Sequence, residues 1–171
     1  MAAAKAGRSV AGMTRTCLLA GFALLACAPT SSAAAAAPVN GRIAYSTFES
    51  SPTGSTGDIW TMAPDGGAKQ QAVFDPDNDA QADWAPDGTK IVYRSRRNNQ
   101  FEISIVDFTV RDGAGRPAIT DIPKAPDGTQ SSQPAWFPDM SGIVYRRTNA
   151  PGTTASDIWA MDTDGTSRHL L

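Results

Sequence analysis

The sequence predicts an all-β fold made of repeated antiparallel sheets, and two repeated phrases predict it. The segment Trp84–Arg94 returns as Trp136–Arg146, with seven of eleven residues identical at a spacing of 52. The segment Asp58–Gly66 returns as Asp157–Gly165, with the same Asp-Ile-Trp opening and the same Asp-Gly close. A repeat of about 40–50 residues is typical of solenoids and propellers.

Each unit has the pattern of short strands separated by turns. In the middle unit, Pro86-Asp87-Gly88 predicts a turn, because proline fixes φ, aspartate bonds nearby backbone and glycine accepts a left-handed conformation. The segment Ile91–Tyr93 is β-branched and aromatic, as strands prefer. Residues 101–106 alternate with the period of two of a half-buried strand. No window after residue 40 has a helical period, which favours strands throughout.

Three such units are present, at about 40–74, 75–122 and 123–171, and they start their shared Ile-x-Tyr phrase at spacings of 48 and 52. This length predicts four-stranded antiparallel blades of a β-propeller. The first unit has no Trp-x-Pro-Asp strand ahead of Ile43. Because closed propellers usually need about four to eight blades, about three blades predict an incomplete ring. We expect a truncated copy of a longer protein, an arc completed by other copies, or an open arc, and favour the first.

Residues 1–37 have the pattern of a secretory signal peptide. Three basic residues and no acidic residue precede the apolar core Cys17–Ala28, which is short for a membrane span, and an Ala-rich processing segment follows. We therefore expect an exported protein that is secreted, periplasmic or attached to the cell envelope.

A lipid anchor at Cys27 is a second hypothesis for this segment. Leu24–Cys27 resembles the bacterial lipobox, in which the cysteine is lipidated, although Cys27 also suits an ordinary apolar core. We expect the protein to contact a membrane only through such an anchor. Both cysteines lie in this segment, so the folded part is predicted to have no disulfide.

The charge balance argues against a nucleic-acid partner. Without residues 1–37 the chain keeps 12 basic and 17 acidic residues, a net charge of about −5. The basic cluster Arg94-Ser95-Arg96-Arg97 is interpreted as a solvated loop between strands.

The repeated phrases resemble the TolB-type β-propeller repeat over nearly all of residues 40–171. The pattern is Trp-x-Pro-Asp-Gly-x-x-Ile-x-Tyr, a polar loop, and then Asp-Ile-Trp-x-Met-x-x-Asp-Gly. The resemblance implies a propeller fold and export, but such repeats occur with several activities, so function needs a site. Met140 departs from the pattern where the other copy has Gly88, and the α/β domain that precedes the propeller in TolB itself is absent.

The residues for catalysis are not evident, and we expect neither an enzyme nor a cofactor. The one histidine, His169, has no triad partners in a recognisable pattern, and no Gly-x-Ser-x-Gly elbow exists. A single histidine without cysteines in the folded part also argues against a transition metal.

A calcium site is a weak hypothesis at the dense acidic segment after residue 74. Its candidate ligands are Asp75, Asp77, Asp79 and Asp83. The segment begins like a calcium loop, but Ala80 replaces the glycine of the EF-hand turn. We favour the interpretation that it connects two blades, with no metal.

The repeated aspartates and tryptophans are interpreted as structural. Asp87 and Asp139 belong to turns, and recurrence in each unit indicates architecture. We expect the four tryptophans to pack between blades and not to form a sugar-binding platform; they are Trp60, Trp84, Trp136 and Trp159.

These observations favour a non-catalytic binding or scaffold module that contacts a protein or glycan partner. The predicted contact regions are the irregular loops 46–57 and 147–156, which precede the Asp-Ile-Trp strands and should emerge on one face. One alternative is the propeller portion of a prolyl oligopeptidase or dipeptidyl peptidase relative whose catalytic domain is missing. The other is an arc that self-associates into a ring.

Overall fold

A computed structural model describes residues 41–51, 54–149 and 153–171. Eleven strands lie in these ranges and form three antiparallel sheets, which we call blades 1, 2 and 3. Blade 1 consists of β1 (Ile43–Ser51), β2 (Gly54–Met62) and β3 (Gln70–Gln71). Blade 2 consists of β4 (Ala80–Trp84), β5 (Lys90–Arg97), β6 (Gln100–Arg111) and β7 (Pro117–Asp121). Blade 3 consists of β8 (Ser131–Trp136), β9 (Ile143–Thr148), β10 (Ser156–Met161) and β11 (His169–Leu170).

The predicted all-β fold of propeller blades is confirmed, with one difference in the first blade. Blades 2 and 3 each have four strands in sequential order, whereas blade 1 has three among the described residues. Its first strand carries the Ile-x-Tyr phrase, as β5 and β9 do, so no described strand takes the place of β4 or β8. The reason is in the sequence, since no Trp-x-Pro-Asp segment precedes Ile43.

The core lies between the blades because alternate residues of each strand point to opposite faces. One cluster joins blade 1 to blade 2 and contains Ile59, Val73, Ile91, Tyr93 and Val106. A second cluster joins blade 2 to blade 3 and contains Val92, Ile103, Ile122, Trp136, Ile143, Tyr145 and Met161. The two faces of blade 2 therefore pack against different blades, one against blade 1 and the other against blade 3.

Side chains of β4 also bond the backbone of β8. The Gln81 side-chain oxygen accepts a hydrogen bond from the N–H of Gln133 at 2.9 Å, and a carboxylate oxygen of Asp83 accepts one from the N–H of Trp136 at 2.9 Å. Both glutamines have positive φ, 59° and 51°, at the register shifts of their strands. Such a bulge leaves backbone N–H groups without ladder partners, and here the neighbouring blade supplies the acceptors.

The prediction of a long loop over residues 46–57 is wrong. β1 and β2 stay paired from Ile43↔Met62 to Ser51↔Gly54, so residues 46–57 form mostly hairpin strands. The second predicted region, 147–156, is strand at its ends, where Thr148 pairs with Ser156, and its residues 150–152 lie outside the described residues. Thr, Ser and Gly residues read as loop from composition, but pairing with a partner strand overrides that preference.

The turn around Gly142 tests how closely the backbone of blade 3 is packed. A methyl group added at Gly142 would lie 2.5 Å from the backbone oxygen of Met161. We expect Gly142→Ala to lower the free energy of unfolding by about 2 kcal/mol, because the backbone atom cannot move aside easily. Urea denaturation followed by circular dichroism measures this change.

Gly113→Ala is the matched control, since nothing lies within 4 Å of its added methyl group and its φ is not positive. It should change stability by less than about 0.5 kcal/mol. Equal losses in the two variants would contradict the close packing at Gly142.

Candidate functional site

The repeated aspartates bond the residue two positions further along the chain. Asp87 accepts hydrogen bonds from the N–H and hydroxyl of Thr89, at 2.9 and 2.8 Å, and Asp139 does the same with Ser141, at 3.0 and 2.7 Å. The N–H of Thr89 and the hydroxyl of Ser141 are the main causes that hold the pKa of these carboxyl groups below its usual value. These aspartates are therefore occupied in turns, as the sequence predicts.

A charged cluster, which we call the Arg97 cluster, lies beside the connection from β3 to β4. The guanidinium of Arg97 is 3.0 Å from Asp75, 3.4 Å from Asp77 and 2.7 Å from Asp121. The cluster borders an open cleft of about 310 Å³ on blade 2. One cation thus faces three carboxylates, and burial followed by the charge of Asp75 raises the pKa of Asp77.

Asp79 is the buried acid behind this cluster. It is 0% exposed, and neither carboxylate oxygen accepts a hydrogen bond of normal geometry from the described residues. Burial raises its pKa to about 8, the charge of Asp75 adds to the rise, and Ser95 and Arg97 offset part of it. The hydroxyl of Tyr93 is also buried without a partner there, and burial followed by the charge of Asp79 raises the Tyr93 pKa.

The four calcium candidates do not come together as one ligand set. Asp75 and Asp77 pair with Arg97, whereas Asp83 bonds the backbone of Trp136 in blade 3. In the described ranges, no group of three or more acidic, histidine or cysteine side chains is arranged to hold a metal ion. The cation that faces Asp75 and Asp77 in this structure is a guanidinium.

A second charged site, which we call the Arg147 cleft, lies at the corresponding end of blade 3. Arg147 pairs with Asp127, donates to the Thr129 hydroxyl at 2.8 Å and lies 4.1 Å from the centre of the Trp159 ring. An open cleft of about 280 Å³ runs past these side chains. Exposed Asn149 and Asp157 complete its lining.

The two sites use one repeat position, which the sequence analysis missed. Asp75 and Asp127 are 52 residues apart, which is the repeat spacing, and each pairs with an arginine of its own blade. The spacing of the aspartates was a usable signal. Their partners, Arg97 and Arg147, are 50 residues apart, so the repeat alone does not align them.

The four tryptophans lie in different surroundings. Trp84 stacks on Phe108 with ring centres 5.2 Å apart and packs against the cluster between blades 1 and 2. Trp136 and Trp159 pack in the cluster between blades 2 and 3. Trp60 is half-buried and pairs with Tyr45 on the face of blade 1 that points away from blade 2.

The last candidate residue that the structure describes is His169. His169 is exposed, and a ring nitrogen lies 2.8 Å from the backbone oxygen of Ser167. The predicted signal peptide and Cys27 lie outside the described residues. Within the described part, no helix is long and apolar enough to cross a bilayer.

Comparison with known proteins gives matches among solved structures. No protein-family model matches the chain, and no curated protein matches it. TolB from Acinetobacter baumannii is 18% identical with a TM-score of 0.53, over 76% of this chain and 29% of that one. A puromycin hydrolase is 16% identical with a TM-score of 0.56, over 77% and 21%. A gluconolactonase from Xanthomonas campestris is 17% identical with a TM-score of 0.53, over 77% and 44%.

These likenesses support the β-propeller fold, and identities this low show the fold alone. The chain spans between 21% and 44% of the length of these three structures. The finer resemblance to TolB-type repeats stays a prediction.

Asp79 makes the stability of the fold depend on pH. Because its pKa is raised above the ordinary value of 3.8 to about 8, the folded chain keeps a proton that the unfolded chain loses. Stability should therefore fall by up to about 1.4 kcal/mol per pH unit between pH 4 and pH 8, and then level off. Asp79→Asn should flatten this slope and stabilise the protein most at pH 8. Urea denaturation at each pH measures both effects.

The exposed turn acid Asp164 supplies the control, since Asp164→Asn removes a carboxylate whose pKa the Thr166 hydroxyl lowers. This variant should keep the alkaline loss of stability. An unchanged slope in Asp79→Asn would show that Asp79 ionises freely in the folded state.

Calcium should not raise the melting temperature of the protein, because the guanidinium of Arg97 already occupies the position that faces Asp75 and Asp77. The measurement is a thermal melt with millimolar calcium and with chelator. A rise in wild type that Asp77→Asn abolishes would instead establish a calcium site.

Proposed function

We propose that the chain is a propeller module of an exported protein, and that it binds a protein partner without catalysing a reaction. The observation that carries this proposal is the Arg147 cleft. There, buried Arg147 and half-buried Trp159 form a fixed base, and exposed Asn149 and Asp157 are available at the rim. Loops and strand ends on a rigid scaffold are common binding sites.

The contacts in the cleft favour a polar protein segment over a glycan. The Arg147 guanidinium covers one face of the Trp159 ring at 4.1 Å, so that face is closed to a sugar ring. Stacking on an open aromatic face is the way a tryptophan would ordinarily hold a sugar. The groups left at the rim are an amide and a carboxylate, which suit hydrogen bonds to a peptide.

A binding role also agrees with how the titratable groups are used. The turn aspartates bond their own turns, Arg97 and Arg147 are paired with carboxylates, and His169 contacts the backbone two residues away. A hydrolytic site needs a nucleophile, a base and an orienting group in mutual contact. The described residues support no assignment of these three roles.

Export rests on the sequence of residues 1–37, with secretion, a periplasmic location or attachment to the envelope as the forms it takes. The peptidase-propeller alternative rests on the same fold, which a puromycin hydrolase shares at 16% identity. We favour the binding module because the cleft lies on the propeller blade itself.

Substitution at the cleft rim tests the proposal. The purified protein is immobilised and exposed to the extracellular and envelope proteins of the producing organism, and a retained partner is then titrated. Asp157→Lys should lower the affinity for that partner by about tenfold or more, because it reverses a charge at the rim. Surface plasmon resonance measures the change.

Thr163→Lys is the control, because Thr163 is exposed and follows β10 at the opposite end of the same blade. It should bind as wild type does. Equal weakening by both variants, or a partner unaffected by Asp157→Lys, would place the binding surface elsewhere. Retention of a glycan on an array, lost in Asp157→Lys, would show that the partner class is wrong.

A further inference from the structure

The blade junctions repeat one pair of faces. The face of a blade that points to the preceding blade carries the Ile-x-Tyr phrase and one residue of the third strand. We call it the front face; in blade 2 it contains Ile91, Tyr93 and Val106, and in blade 3 Ile143, Tyr145 and Met161. All six are at most 2% exposed, because each front face packs on another blade.

The opposite face, which we call the back face, has its own repeated residues. In blade 1 these are Ile59 and Val73, and in blade 2 they are Ile103 and Ile122. The second residue of each pair lies just after the last strand, where its N–H donates to the backbone oxygen of the first. All four are at most 3% exposed, because each back face meets the front face of the next blade.

In the described part of the chain, one front face, that of blade 1, and one back face, that of blade 3, are not covered by another blade. The front face of blade 1 consists of Ile43, Tyr45, Trp60 and Met62, and Ile43 is 42% exposed. The back face of blade 3 contains Ile158 and Leu171, which are 52% and 63% exposed. The N–H of Leu171 donates to the backbone oxygen of Ile158, as the equivalent residues do in the other blades.

We propose that the front face of blade 1 packs on the back face of blade 3 of a second copy of this chain, head to tail. The chain already makes this kind of contact twice, between blades 1 and 2 and between blades 2 and 3. Burial of apolar side chains such as Ile43, Ile158 and Leu171 drives the association. Because the two faces are different, the contact is heterologous, and it closes into a ring if the rotation between copies permits.

A second copy is the occupant because it carries both complementary surfaces. The front face of blade 1 matches those of blades 2 and 3 in its isoleucine and tyrosine, and Met62 corresponds to Met161. The back face of blade 3 offers Ile158 where blades 1 and 2 offer Ile59 and Ile103. The contact does not involve the Arg147 cleft, so it goes beyond the proposed function and does not depend on it.

Charge introduction at each face tests the contact. The purified wild-type protein, measured by light scattering and native mass spectrometry up to about 100 µM, should form a dimer or a larger assembly. Ile43→Asp, on the front face, and Ile158→Asp, on the back face, should each give monomers. Val110→Asp is the matched control, because Val110 is 52% exposed on β6 and belongs to neither face.

Mixing the two monomeric variants separates a head-to-tail contact from a symmetric one. Ile43→Asp keeps an intact back face and Ile158→Asp keeps an intact front face, so a mixture should form a one-to-one heterodimer. A contact between identical faces would leave one variant assembled by itself and give no heterodimer.

Four results would overturn the proposal. They are a wild-type monomer throughout the range, an assembly that either face variant leaves unweakened, an assembly that Val110→Asp weakens equally, and a variant mixture that gives no heterodimer. Circular dichroism of each variant establishes that it is folded. Where Ile43→Asp is unfolded, Tyr45→Lys takes its place on the front face.

Discussion

Packing of one sheet on the next is the interaction on which the rest of this structure depends. A blade has two apolar faces, and its strands alternate between them, so no blade can bury both within itself. Blade 2 is covered on both sides, and its Ile91 and Val92, which are neighbours in sequence, belong to different clusters. The stability of each blade is therefore a property of its junctions, as in other repeat proteins.

The polar groups follow from the same constraint. At the bulge of β8 the N–H of Gln133 bonds the side chain of Gln81 in the adjacent blade, so hydrogen bonds reinforce the apolar contact. At the opposite end of the inner strands from the turns of Asp87 and Asp139, an aspartate pairs with an arginine in each of two blades. Both sites border an open cleft, but in blade 2 the cluster lies beside buried Asp79, whereas in blade 3 Arg147 packs on Trp159.

The aspartates that stabilise the turns are different residues from those available to a partner. The residues that repeat most visibly, such as Asp87 and Asp139, are occupied by their own turns. Of the residues available at the Arg147 cleft, Asp157 opens the repeated Asp-Ile-Trp phrase, as Asp58 does, and both Asp157 and Asn149 lie outside the turns of Asp87 and Asp139. The uncovered faces of blades 1 and 3 form a separate surface, because their chemistry is that of a blade junction and not of a polar cleft.

The sequence by itself predicted most of the strands, the turns and the three repeated sheets of the described residues, because alternation and turn chemistry act within a few residues. It also predicted that blade 1 has no counterpart of β4 and β8 among the described residues. It misplaced the hairpin at 46–57, since strand pairing outweighs local composition. Tertiary structure alone decided that Arg97 faces three carboxylates and that Asp79 is buried, because these contacts join side chains about 20 residues apart and the arginines do not follow the repeat spacing.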